Sequence, residues 1–228
     1  MNLLRCLSSL LTPPPAPSVP VRSAAVIRRL LEDSDGKNIL DLGSGTRILK
    51  PHVVRLDITH HPNVSVQGDA RRLPFADHSF DLVICSHVLE HVNGYWLAAE
   101  ELRCVTRLGG VMLIEVPFIF PFHTGTPDDR HDYVRLTLDG LRAIVDRDQI
   151  LEEGLAVGHG SMLMLILVEW VGRLFYIGHH SALYYLVRNT LSWLLYPLCW
   201  LDPWLDRRPR RDVIGGAYYL VARRSNGA

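Results

Sequence analysis

The stretch NILDLGSGTRILKPHVVRLDI, residues 38–58, limits what this chain can become more than any other. An apolar run leads into Asp41 and is followed by Gly43 and Gly45, the pattern of a strand entering a glycine turn in an α/β nucleotide fold. Only Thr46 to His52 then separate Gly45 from a second strand-like run. That leaves room for about two helical turns at 3.6 residues per turn, and Pro51 shortens it further. The dinucleotide pattern G-x-G-x-x-G would need a third glycine where Ile48 stands. Pyrophosphate also needs the free N–H groups of a helix N-terminus. The ligand that suits such a turn carries no phosphate.

Beyond the turn, short apolar runs alternate with polar or helical stretches. NILDL, HVVRLD, VSVQGD, FDLVICS and GGVMLIEVP read as five strands in chain order. Between the last two, the stretch that carries Leu97, Leu102 and Val105 predicts a helix. Strands that are apolar throughout and joined by crossovers mean a mainly parallel sheet. QILEEGLAVG predicts a sixth strand, and GGAYYLVARR, rich in β-branched and aromatic residues, a seventh. Asp41 ends the first strand, Asp57 ends the second, and Asp69 follows the third. Ligands of open α/β sheets sit beyond the carboxyl ends of the strands, so these three carboxylates point at one crevice.

A ligand with a positive centre, an amine and no phosphate would suit that crevice. S-adenosylmethionine is such a molecule, with a sulfonium, a ribose diol and an adenine. The glycine turn lets backbone approach its methionine end. Asp57 can accept from both ribose hydroxyls and Asp69 from the adenine amino group, while the Ala70 amide donates to the ring. At this point ILDLGSG (39–45), LD ending at Asp57, GDARRLPFADHSFDLVICSHVLEHV (68–92) and LGGVMLIEVP (108–117) resemble the class I S-adenosylmethionine-dependent methyltransferases of the small, single-domain type. The resemblance spans residues 36–120 and the last strand. It implies a Rossmann-like α/β fold with a mainly parallel seven-stranded sheet, to which the residues of this chain add a shortened first helix and an apolar helical insertion before the last strand. It implies a cofactor site formed by Asp41, Gly43, Ser44, Gly45, Asp57, Ile58, Asp69 and Ala70, with Ser86 and His87 facing the transferred methyl. The family usually has glycine where Arg47 stands, and a longer first helix.

Methyl transfer is an in-line displacement, and alignment can supply much of its rate. An oxygen or nitrogen acceptor must also lose a proton, which suits a histidine titrating near neutrality. His87, His123 and His131 are the candidates, with Tyr133 beside them. His123, His131 and Tyr133 belong to PFHTGTPDDRHDYVRLT (121–137), a polar and aromatic loop and so a candidate acceptor site. This loop is similar to an HDY-x-R-aromatic-T segment of bacterial methyltransferases associated with surface-glycan genes, with Leu136 in place of the aromatic. The competing reading is that Asp132 to Arg135 only anchor the next helix, with Thr137 as its N-cap and Leu138, Leu141, Ile144 and Val145 facing inward.

HVLEH (87–91) also spells H-x-x-E-H, a zinc-hydrolase pattern in which His87 and His91 share a metal and Glu90 activates water. Its position after a strand of the α/β array leaves the hydrolase as the alternative, and the methyltransferase reading assigns no metal. A further alternative is an S-adenosylmethionine-binding protein without activity of its own.

Lys plus Arg and Asp plus Glu each total 24, which argues against a dedicated nucleic-acid binder. The four cysteines lack C-x-x-C spacing, so neither a disulfide framework nor structural zinc is expected. Cys85 and Cys104 read as core residues, and a reducing, cytoplasmic setting fits. Residues 1–21 read as a short amphipathic helix and a proline-rich linker, with Arg5 interrupting what would be a signal-peptide core. Residues 22–159 make the cofactor-binding core, 160–212 an apolar helical insertion, and 213–228 the last strand and tail.

Three of the five tryptophans lie between 193 and 204, within the insertion. Its charge-free runs fall short of the about 20 apolar residues of a spanning helix. Trp and Tyr favour the membrane interface, and Arg207, Arg208, Arg210 and Arg211 suit anionic head groups on the cytoplasmic side. A helical hairpin touching one leaflet through residues 161–206 is therefore expected, against a buried lid or a dimer contact. Glu169 and Arg173, at i and i+4, could pair on one helix. The function expected is methyl transfer to a small-molecule, glycan or lipid-linked acceptor, with O-methylation favoured, leaving the oligomeric state open.

Overall fold

Strand β1 (Ile39–Leu42) is buried along its whole length, because parallel strands flank it on both sides. Leu40 stands opposite Val54 of β2 (Val54–Asp57) and opposite Val83 of β4 (Phe80–Ser86). The computed structural model of this chain describes residues 17, 19–123, 131–176, 181–210 and 212–225. The amphipathic helix expected in residues 1–21 lies outside them. The described residues fall into two units, divided at Val21, Ala156 and Gly215.

The first unit carries a seven-stranded sheet in the order β3–β2–β1–β4–β5–β7–β6, with β3 at Val66–Gln67, β5 at Thr106–Pro117, β6 at Gln149–Val157 and β7 at Ala217–Arg223. β1, β2, β3, β4 and β5 pair in parallel, and β7 runs antiparallel to β5. The strand order reverses between β1 and β4, the place where open α/β sheets leave a crevice. All seven strands read from the sequence are present. The shortening of the first helix is complete, since residues 43–53 contain turns and bends only.

Helix α1 (Ser23–Glu32) turns Val26, Ile27 and Leu31 inward. Helix α2 (Tyr95–Val105) buries Ala98, Leu102 and Val105 and packs on β5. Helix α3 (Leu138–Ile144) starts where Thr137 Oγ accepts a 3.1 Å hydrogen bond from the Gly140 amide, the predicted N-cap. Leu141 and Val145 are buried in the main core with Leu42, Leu56, Ile114 and Tyr218. Each such apolar side chain contributes about 1.5–3 kcal/mol on burial. Cys85 is buried and Cys104 half-buried, and neither they nor Cys199 form a disulfide.

The second unit is built on α4 (His159–Leu174) and α5 (Ser181–Leu195), then a 3-10 segment, Tyr196–Leu201, and the short α6 (Asp202–Leu205). Met164, Val168 and Cys199 form its small core, with Leu165, Leu191 and Leu195 packed against them. A Cβ on Gly172 would meet the Tyr184 ring at 3.0 Å, so the two helices need glycine at that contact. Glu169 does not pair with Arg173. Its carboxylate accepts from Arg188 Nε at 2.9 Å and from Tyr184 Oη at 2.8 Å, because both donors come from the facing helix and tie α4 to α5. Arg173 instead lies 5.2 Å from the centroid of the Tyr176 ring. Asp202, buried, accepts from the amides of Gly160 and Ser161 at 2.5 and 3.3 Å and so caps the start of α4. No helix among the described residues is long and apolar enough to cross a membrane.

Candidate active site

The glycine turn after β1 is held by β2 in place of a helix. The Gly43 and Ser44 amides both donate to the Leu56 carbonyl, at 2.8 and 3.2 Å. The Gly45 amide donates to Asp57 Oδ2 at 2.8 Å, and Asp57 Oδ1 accepts from the Thr59 amide at 2.8 Å. Gly43 and Gly45 have φ of +63° and +52°, a region that strains L side chains. A Cβ on Gly43 would also lie 2.2 Å from Val88 Cγ2, whereas nothing stands within 4 Å of one on Gly45.

Beside this turn lies a cavity of about 480 Å³. Of the residues predicted for the cofactor, Gly43, Gly45, Asp57, Ile58, Asp69 and Ala70 line it. Asp41, Ser44 and Ser86 are not on its wall. Asp41 is fully buried, and the Arg47 guanidinium engages both of its oxygens. Burial raises its pKa and the Arg47 charge opposes that rise. Ser86 Oγ donates to Glu115 at 3.0 Å. The Ser44 hydroxyl is buried with no partner among the described residues. Asp69 is held by Arg71 side-chain and amide hydrogen bonds, and the Arg71 hydrogen bond depresses its pKa.

The same cavity is lined by His87, His91, His123, His131 and Tyr133. His87 has a φ of +56°, an uncommon conformation for a non-glycine residue. Its Nδ1 lies 3.2 Å from Glu90 Oε1 and its Nε2 3.1 Å from Glu115 Oε1. The other Glu115 oxygen accepts from Ser23 and Ser86, at 2.8 and 3.0 Å. Burial works against charge on His87, but hydrogen bonds to Glu115 and Glu90 outweigh it and push the imidazole up to about 10. Burial likewise opposes the charge on Glu90, yet hydrogen bonds to His123 and His87 bring it down to about 2. His87 is therefore cationic at neutral pH, a poor match for the neutral proton acceptor that the sequence allows.

The zinc-hydrolase geometry is not formed. Leu89–His91 is a single 3-10 turn, so His87 and His91 do not share an α-helical face, and His91 Nδ1 is 2.6 Å from the His131 carbonyl. The HDY segment is pinned across this turn, since the Tyr133 amide also donates to the Glu90 carbonyl at 2.6 Å. The rings of His131 and Tyr133 stack, 5.3 Å between centroids. Asp132 accepts from the His123 amide at 3.1 Å and pairs with Arg135. Asp128, Asp129 and Arg130 lie outside the described residues.

Sequence reasoning missed Glu115, Arg71 and His61. Glu115 was the most legible of the three, as a lone carboxylate in an otherwise apolar buried strand. Arg71 and His61 line the cavity from loops and carried no pattern.

The donor set fits S-adenosylmethionine. Both Asp57 oxygens accept one backbone amide and keep further lone pairs for hydroxyl donors. Gly45 leaves backbone open beside them, and Ile58 and Ala70 offer apolar contact for a ring. The volume falls in the range of small-molecule sites.

Comparison with known proteins agrees. Residues 40–114 match the methyltransferase-domain family. A demethylmenaquinone methyltransferase of Renibacterium salmoninarum is 34% identical over 144 residues, 53% of this chain and 58% of that protein. The chain spans about half the length of the curated relatives it matches. Among solved structures, an S-adenosylmethionine dependent methyltransferase from Mesorhizobium loti matches with a TM-score of 0.52 at 15% identity, over 89% of this chain and 97% of its own. Coclaurine N-methyltransferase, bound to N-methylheliamine and SAH, matches with a TM-score of 0.50 at 14% identity, over 87% of this chain and 72% of its own. Likeness at such identities concerns the fold. Sheet topology and sequence match converge on a fold of the class I methyltransferase kind, with residues 40–114 matching the methyltransferase-domain family.

Proposed function

We propose that this chain transfers a methyl group from S-adenosylmethionine to a small-molecule acceptor, free, glycan-borne or lipid-linked, with oxygen as the favoured acceptor atom. One observation carries the reading: a single cavity is shared by Gly43, Gly45, Asp57, Asp69 and Ala70 on one hand and by His123, His131 and Tyr133 on the other. The cofactor supplies a methyl group made electrophilic by a sulfonium. Asp57 would hold the ribose hydroxyls, and Asp69 and Ala70 the adenine. His131 and Tyr133 are the best candidates for orienting an acceptor and taking its proton. The charge on His87 argues against that role for it. The relatives named demethylmenaquinone methyltransferase favour a small ring compound over a macromolecule.

The test is transfer of a labelled methyl from S-adenosylmethionine, by the purified chain, into lipid and glycan extracts of a strain lacking it. Mass spectrometry should find species heavier by one methylene. His131→Ala should cut the rate about 10²–10⁴-fold, the usual worth of general acid–base catalysis. Absence of any methylated product from all extracts would sink the proposal.

A lipid-linked acceptor is favoured by the second unit. Trp170, Trp193, Trp200 and Trp204 are all exposed, as are Leu174 and Leu194. Arg208 lies 4.2 Å from the centroid of the Trp204 ring, and Arg207 and Arg210 are exposed nearby in sequence. Arg211 lies outside the described residues. Exposed tryptophans with adjacent arginines suit the interface of an anionic leaflet.

A further inference from the structure

Glu90 is fully buried, yet its Oε1 is the meeting point of three imidazoles. His87 Nδ1 lies 3.2 Å from it, His123 Nε2 3.5 Å and His91 Nε2 3.7 Å. Its Oε2 is buried with no hydrogen-bond partner among the described residues. A buried carboxylate with one orphaned oxygen is costly, and a structural anchor would satisfy both.

We propose that His87, Glu90 and His123 form a binding site for a divalent first-row transition-metal ion, opening onto the cavity. One ligand atom from each of the three lies within 4.8 Å of the others. Ligands held at about 2.0–2.2 Å from a shared ion stand about 3 Å apart, so the site closes by a small movement of His123 toward His87. Two imidazoles and one carboxylate, without sulfur, are a donor set for zinc, cobalt, iron or nickel rather than calcium or magnesium.

A second, independent observation points the same way. A ligating histidine usually gives its other ring N–H to a carboxylate or a backbone carbonyl, which fixes its tautomer and orientation. Both candidate histidines are arranged so. The nitrogen of His87 not facing Glu90 lies 3.1 Å from Glu115 Oε1, and Glu115 is itself fixed by Ser23 and Ser86. The nitrogen of His123 not facing Glu90 lies 3.4 Å from the Pro121 carbonyl. Glu90 and Glu115, 3.2 and 3.1 Å from the two His87 nitrogens, place negative charge where a dication would be attracted.

Three protein ligands leave further positions of the ion for a substrate. On the reading of this cavity as the acceptor pocket, on which this inference rests, those positions take an acceptor through oxygen, as a hydroxyl beside a second oxygen donor. The ion replaces the metal-free site expected from the sequence.

The test is zinc calorimetry and cobalt absorption spectroscopy on the chelator-treated full chain, with S-adenosylmethionine calorimetry run in parallel. One ion per chain should bind, and cobalt should show the visible bands of a nitrogen–oxygen site. His123→Ala and Glu90→Gln should each weaken the ion at least tenfold, and Glu115→Gln about 10–100-fold, as orienting partners do. The chain has eleven histidines, so zinc uptake that His123→Ala and Glu90→Gln leave unchanged overturns the inference, as does uptake below one ion per chain. Retained cofactor binding in the variants shows that they are folded. Cofactor binding without the ion sinks only this inference, and ion binding without the cofactor sinks the methyltransferase reading.

Discussion

Asp57 accepts the Gly45 amide at 2.8 Å, so the second strand supplies to the glycine turn the support that a following helix gives elsewhere. This contact accounts for a Rossmann-like site with turns alone between β1 and β2. It also separates the two glycines. Gly43→Ala must place a methyl against Val88, a cost of about 1–3 kcal/mol for overpacking that adds to about 1–2 kcal/mol of left-handed strain. Gly45→Ala meets no atom and should cost about 1–2 kcal/mol through φ alone, with its larger effect on cofactor affinity. Urea unfolding and calorimetry on both variants check this ordering.

Arg47 stands over the buried Asp41 where the family usually has glycine. Removing it in Arg47→Ala strands a buried carboxylate. The expected loss is about 2 kcal/mol at pH 7, below the full value for a buried pair because Arg47 is one-third exposed. The pH dependence has a definite sign. Asp41 has a raised pKa when folded, so the folded chain binds the proton more tightly than the unfolded one. Its contribution to stability falls as pH rises through that window and recovers as pH drops. The deficit of Arg47→Ala should therefore be largest near neutrality and shrink toward pH 4. A deficit that is constant with pH would show that Asp41 is not its source.

Asp202 closes the second unit by capping α4 from the far end of the chain segment that forms it. Asp202→Ala should destabilise that unit by about 1–2 kcal/mol, the worth of an N-cap. Hydrogen exchange should show earlier opening of residues 159–174 than in the parent chain, with β1 and β4 unchanged.

The exposed tryptophans predict binding to vesicles. The full chain should co-sediment with vesicles rich in anionic lipid, less with neutral ones, and less again at high salt. A Trp200→Ser, Trp204→Ser double variant should bind several-fold more weakly. If it binds equally while the parent chain is dimeric in solution, the surface is a contact between copies instead.

Much of this fold was legible because its strands are apolar throughout, which only a sheet covered on both faces requires. The glycine turn, Asp57 and Asp69 were legible because strand ends and turns have local signatures. What stayed hidden depends on partners distant in sequence. Glu169 offered a helical neighbour in Arg173, yet the facing helix supplied Arg188, and no spacing rule encodes that choice. Arg47 read as a misplaced glycine until the turn set its guanidinium over Asp41. Glu115 read as one residue in an apolar strand. Only the register of β4 on β5, with Ser86 opposite Glu115, brings it under His87 and turns three scattered residues into one site.

The central claim is that the crevice beyond β1 and β2 holds S-adenosylmethionine through Asp57. Titration calorimetry of the full chain with S-adenosylmethionine measures it most directly, alongside Asp57→Ala and Asp57→Asn. One molecule should bind per chain. Asp57→Ala should weaken it about 10–150-fold, the loss of charged hydrogen bonds worth about 1.5–3 kcal/mol, with Asp57→Asn in between. No heat from the parent chain, or equal affinity in all three proteins, would contradict the account.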